Sequence, residues 1–317
     1  MNLHRQAQNH MIILSPDCIK SHAKSYHTVI QSYTKKLLQR RYSPNTQKTY
    51  LSLFKKYLQF FESRPIHEVT KSEIEDYIYF LIQSKDISLS TQNQIVNAVK
   101  FYYEHVLKRE RLTYWIDRPR KAFKLPTVIS EQSILQMLES RKNIKHKCII
   151  ALLYSSGLRR SELLNLKKGD IDCDRMMITI RGGKGNRDRV SLLADALINT
   201  LVEYIRVYNP KYWFFEGPSM KRYSGTSVLN VVKRAAQRAG VSQKVTPHTL
   251  RHSFATHLLE HGTDVRFVQD LLGTLTEDHP NIYTQISDAS VRKITSPLDR
   301  IMGSDQNKNK ESNKRLY

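Results

Sequence analysis

The sharpest change of period along this chain falls at MMITIRGGKGNRDRVSLL, beginning at Met176. The run is apolar and β-branched, is broken by GGKGN, and then resumes with alternating polarity. Two short strands about a glycine-rich turn are the signature of a β-hairpin. A short aromatic strand is also expected at YWFF, Tyr212 to Phe215. Nearly all the rest has helical spacing, so the chain reads as mainly α with a small β-hairpin or sheet.

Helix signals follow one another from His27. VIQSYTKKLLQRRY is followed by SPNT, which supplies a cap with Pro44 at the first helical position. TYLSLFKKYLQFFES is amphipathic with an aromatic face. VTKSEIEDYIYFLIQS pairs Thr70 with Glu73 as a capping box, and SLSTQNQIVNAVKFYYEHVLK is a fourth helix. Tyr26 to Lys108 therefore forms a four-helix unit whose tyrosines mostly fill its core. KRERLTYWIDRPRKAFKLPTVIS is crowded with cations and two prolines, the composition of an extended linker. The expected organisation is a flexible arm at 1–25, a helical domain at 26–116, a linker at 117–126 and an α+β domain at 127–302. The tail at 303–317 is polar and expected to be disordered. Within the second domain LRRSELLNLKKGDID reads as a short helix ending in a turn. The run from His248 to Glu260, free of glycine and proline, is a strong helix.

Charge narrows the partner. Fifty-one Lys and Arg against 29 Asp and Glu give a formal net charge of +22. Such an excess releases counterions from a polyanion, which makes nucleic acid the expected partner. Cys18, Cys148 and Cys173 are far apart and form no CxxC pair, so neither a disulfide framework nor a metal module is expected, and a reducing cytoplasm fits best. No apolar run reaches the length of a membrane span.

Three places carry candidate chemistry. In TPHTLRHSFATHLL, His248, Arg251 and His252 stand at i, i+3 and i+4 and share one helix face. A basic face of this kind suits a solvated surface, a phosphate contact or a catalytic site. Leu250, Phe254, Leu258 and Leu259 face the core, while His257, near the helix end, reads as a surface or packing residue. Arg159 follows the apolar run IIALLYSSGL, and Glu162, three residues on, can pin it by a charge-assisted hydrogen bond. Lys184 sits in the GGKGN turn, where glycines let backbone approach a ligand closely.

SGLRRSELLNLKKGDID, RGGKGNRDRVSLL, TPHTLRHSFATHLLEHG and NIYTQIS, in this order and spacing, resemble the tyrosine recombinases of the phage integrase and Xer type. The resemblance implies a core-binding domain followed by a catalytic domain, together clamping duplex DNA. It implies that Arg159 and Arg251 grip the scissile phosphate, Tyr283 is the nucleophile, His248 accepts its proton and Lys184 protonates the leaving oxygen. Glu162 then supports the site without touching phosphate. No cofactor or metal is implied. The partner is a double-stranded recombination site, bound by a homotetramer that holds two sites. The segment from about Ser287 to Met302 would pack onto a neighbouring protomer.

One position departs from the family pattern. Counting back from Tyr283 without a gap, Thr274 stands where histidine or tryptophan is usual. A threonine hydroxyl is shorter and carries no charge, and losing one such donor costs ~2.7–4 kcal/mol of transition-state stabilisation. The departure is the feature that favours an alternative, a DNA-binding accessory protein with weakened catalysis. A relaxase of the type IB topoisomerase kind shares the same chemistry.

Overall fold

The computed structural model describes residues 16–62, 65–109, 118, 126–140, 142–182, 188–273 and 294–302. The chain divides into two compact units, Met1–Phe123 and Lys124–Tyr317.

In the first unit, helices α1 (Pro16–Gln39), α2 (Pro44–Phe60), α3 (Lys71–Lys85) and α4 (Leu89–Phe101) follow in order. Ser43, Thr70 and Ser88 cap α2, α3 and α4, and the Thr70–Glu73 capping box forms as the spacing predicts. Helix α1 starts at Pro16, inside the segment read as an arm. Pro16 fits the first helical position, and neither glycine nor a second proline interrupts the chain before Gln39. The core is aromatic. Tyr33 stacks on Phe54 with ring centroids 4.1 Å apart and donates its hydroxyl to the Ala98 carbonyl at 2.9 Å. Tyr57 and Tyr103 lie hydroxyl to hydroxyl at 2.9 Å, and Tyr103 donates onward to the Ile66 carbonyl at 2.8 Å. These tyrosines are wholly buried and serve the core.

The second unit is built around α6 (Ile144–Ser155), whose residues Cys148 to Ser155 are all buried. Around it lie α5 (Glu131–Glu139), α7 (Arg160–Asn165), α8 (Ile198–Tyr208), α9 (Gly225–Arg238) and α10 (Pro247–Glu260), and α11 (Val265–Leu272) packs on α10. The expected hairpin forms from β2 (Met177–Ile180) and β3 (Arg189–Leu192), and a third strand, β1 (Ile171–Asp172), adds to it antiparallel in the order β1-β2-β3. Sequence reading ended the LRRSELLNLKKGDID segment in a turn and missed β1, which is only two residues long.

YWFF is not a strand. Trp213 makes a single bridge to Lys167, while Phe214 and Phe215 are both wholly buried. An isolated bridge is the only strand-type pairing of this segment, so no ladder extends along it. Residues 296–301, with α12 (Pro297–Ile301), pack on their own unit. Leu298 is buried, the Ser296 hydroxyl donates to the Ser155 carbonyl at 3.1 Å, and Asp299 accepts from the Ala196 N–H at 2.8 Å.

The tyrosine relay gives an asymmetric prediction. Tyr103→Phe removes both the donor to Ile66 and this acceptor for Tyr57, and should cost about 1–3 kcal/mol. Tyr57→Phe leaves the Tyr103–Ile66 bond in place and should cost less. Urea denaturation of the two variants checks the order.

Candidate active site

Local sequence fixes each element of the site. Thr246 caps α10 by accepting from the Thr249 N–H at 3.2 Å, and Pro247 occupies the first helical position. Leu250, Phe254 and Leu258 are wholly buried on one side of α10, so its orientation is set by the core. His248 is then exposed, His252 half-buried and Arg251 buried. The chain enters α7 through Gly157, at φ +57°, where an added Cβ would lie 2.5 Å from the Phe254 ring. Only glycine fits there, and it turns the chain so that Arg159 precedes the first turn of α7.

Glu162 is the centre of the site. Its carboxylate reaches back to the Arg159 backbone N–H at 2.7 Å and takes the Arg159 guanidinium at 2.7 Å. Arg189, the first residue of β3, donates to the same carboxylate at 2.8 Å, and Arg251 stands 3.6 Å from it. Burial alone would raise the Glu162 carboxyl; Arg189 and the hydrogen bonds from Arg159 and Arg189 outweigh it and hold the group below its ordinary range.

The same three guanidiniums meet the C-terminal end of α11. Arg189 donates to the Leu271 carbonyl, Arg251 to that of Leu272 and Arg159 to that of Gly273. Three successive carbonyls at the negative end of a helix are thus each given a cation. Arg251 also donates to the Gly157 carbonyl at 2.6 Å. Burial together with Arg159 and Arg189 disfavours the charged form of Arg251, a strain that an incoming anion relieves.

His248 feels this excess as well. Partial burial, then Arg251 and Arg159, push its pKa below the ordinary value, so it is neutral at pH 7 and able to accept a proton. His252 meets it edge to face, with ring centroids 4.1 Å apart. His257 lies elsewhere, buried with Nδ1 2.8 Å from the Tyr154 hydroxyl.

The fold therefore brings Arg159, Glu162, His248 and Arg251 together. Lys184, Thr274 and Tyr283 lie outside the described residues. Arg181 and Asp188 flank the segment that carries Lys184: Arg181 pairs with Asp170 at 2.8 Å, and Asp188 accepts from the Gly182 N–H at 2.8 Å. Sequence reasoning missed Arg189. The available signal was the register of the hairpin, because Ile178 and Ile180 are buried and face Ser191 and Arg189 across the ladder. Cross-strand partners share a face, so an arginine opposite a buried isoleucine is turned inward.

Residues 127–290 match the phage integrase family, and residues 29–112 match the phage integrase N-terminal SAM-like domain. The tyrosine recombinase XerA of Pyrococcus furiosus is 34% identical over 72% of this chain and 82% of its own length. Among solved structures, XerH bound to its difH substrate before cleavage superposes with a TM-score of 0.60 at 21% identity, covering 78% of this chain and 77% of that one. A lambda integrase tetramer bound to a Holliday junction gives 0.62 at 19% identity, over 80% and 75% of the two chains. With both domains matched in order, and a guanidinium cluster standing where the sequence motifs converge, this chain belongs to the phage integrase family of tyrosine recombinases.

Proposed function

We propose that the protein is a site-specific DNA recombinase, or integrase, that cuts and rejoins duplex DNA through a 3′-phosphotyrosyl intermediate. The observation that carries this reading is the set of three guanidiniums converging on Glu162 beside a histidine kept neutral. Planar guanidinium forks match the non-bridging oxygens of a phosphodiester and stabilise the charge that builds on them during attack.

In the proposed reaction Arg159 and Arg251 clamp the scissile phosphate. The Tyr283 oxygen attacks phosphorus, its proton passing to His248; a phenol with a pKa of about 10 needs such a base at neutral pH. The P–O5′ bond breaks, and Lys184 protonates the departing 5′-oxygen. One phosphodiester is exchanged for another, so bond energy is conserved without ATP. Attack by a 5′-hydroxyl from a second duplex reverses the step and joins the strands. The lambda integrase neighbour, a tetramer on a Holliday junction, supports a homotetramer that exchanges strands between two sites in turn. The proposed organisation keeps the catalytic domain at 127–302.

Thr274 favours a second reading, an accessory DNA-binding protein whose catalysis has weakened. A nicked suicide substrate carrying the protein's own recombination site separates the two. The native chain should form a covalent adduct, and Tyr283→Phe should abolish it while binding DNA as before. A native chain that binds its site but forms no adduct would establish the accessory reading instead.

Two further outcomes follow from the site chemistry. Arg251→Lys keeps the charge but loses the fork, and single-turnover cleavage should fall by ~10²-fold. Thr274→His should raise cleavage by up to ~10²-fold by restoring a phosphate donor. The pH dependence has a defined sign. Because the His248 pKa is lowered, the base remains competent down to pH 6.5, and kcat/KM should decline only below that value. A decline beginning above pH 7 would remove His248 from the role of base.

A further inference from the structure

Arg189 belongs to neither the phosphate clamp nor the proton transfers proposed above, yet like Arg251 it is a buried guanidinium of the site. Its side chain is 5% exposed, on a strand whose outward neighbour Val190 is 37% exposed. Burying a guanidinium is costly unless its donors are met. Here Nη2 donates to the Oε2 atom of Glu162 at 2.8 Å and Nη1 to the Leu271 carbonyl at the end of α11. The fit extends to the backbone, because Gly273, at φ +60°, has the Arg189 Cδ 2.7 Å from where a Cβ would sit.

The consequence lies in the geometry of Glu162. Its Oε1 takes the Arg159 side chain at 2.7 Å, and its Oε2 takes the Arg159 N–H at 2.7 Å and Arg189 at 2.8 Å. Arg251 is left 3.6 Å from Oε2, beyond hydrogen-bond length, and is anchored instead on the carbonyls of Gly157 and Leu272. A buried carboxylate that lost Arg189 would find Arg251 the nearest replacement. It would then pair with the guanidinium that must meet phosphate.

We infer that Arg189 is a positioning residue that completes the donors on the Oε2 atom of Glu162, keeping the Arg251 guanidinium out of hydrogen-bond contact with the carboxylate and available to the DNA phosphate, while fixing the end of α11 at Leu271. The inference rests on the recombinase reading for the role of Arg251. Its geometric content can be measured in the protein without DNA.

The test uses the full chain with 15N-labelled arginine. In Arg189→Met, the side-chain N–H resonances of Arg251 should move in the DNA-free protein as the group transfers to Glu162. In Arg189→Met combined with Glu162→Gln they should return toward their native positions. Single-turnover cleavage of the suicide substrate should fall by ~10–10²-fold in Arg189→Met, with DNA affinity changed by less than ~3-fold. The double variant should be no slower than Glu162→Gln alone. Arg189→Lys, which keeps one charged donor for Glu162, should recover much of the rate and guards against a variant that fails to fold. Unmoved Arg251 resonances in folded Arg189→Met, or losses that simply multiply in the double variant, would overturn the inference. If the native chain forms no adduct, the recombinase reading fails, while the Arg251 resonances still decide what Arg189 does.

Discussion

A single buried carboxylate organises the catalytic unit. Glu162 sits in the first turn of α7, where it closes that helix onto the Arg159 N–H and at the same time faces three guanidiniums. Each partner arrives on a different element: Arg159 at the entry to α7, Arg189 on β3 and Arg251 on α10. An isolated carboxylate in this position would be protonated rather than charged, and an isolated guanidinium would be expelled to water. Together they hold helix, sheet and helix in one arrangement. The cations outnumber this carboxylate, and that imbalance is what an anion would find attractive. Electrostatic cohesion and substrate recognition thus rest on the same group.

Much of this was legible in the residues. The capped helices of the first unit follow from Ser43, Thr70 and Ser88, because a side-chain oxygen three residues before a backbone N–H leaves little choice of geometry. The i, i+3, i+4 spacing of His248, Arg251 and His252 put them on one turn, and the Arg159–Glu162 spacing made a pinned arginine the natural outcome. What was not legible depended on tertiary choices. Arg189 could be placed only by knowing which face of the hairpin is buried, and the strand runs against the usual pattern, with Val190 outward and Arg189 inward. Phe214 and Phe215 read as strand by composition, but the core takes both rings. The two-residue β1 has no period of its own and exists because Met177 and Ile178 offer it a ladder.

The end of α11 shows why arginine, rather than lysine, suits these positions. The last carbonyls of a helix have no partner within it, and burying them demands donors from elsewhere. Arg189, Arg251 and Arg159 supply these to Leu271, Leu272 and Gly273 in succession. A guanidinium carries five N–H donors in a fixed plane, so Arg251 can give one to Gly157 and one to Leu272 and keep others for an anion. A lysine ammonium anchored by the same two carbonyls would have a single donor left and no fixed direction for it. Anchoring by carbonyls therefore costs Arg251 little binding capacity and removes much of its rotational freedom before phosphate arrives. Preorganisation of this kind lets charge stabilisation act at the moment of reaction without first rearranging the side chain.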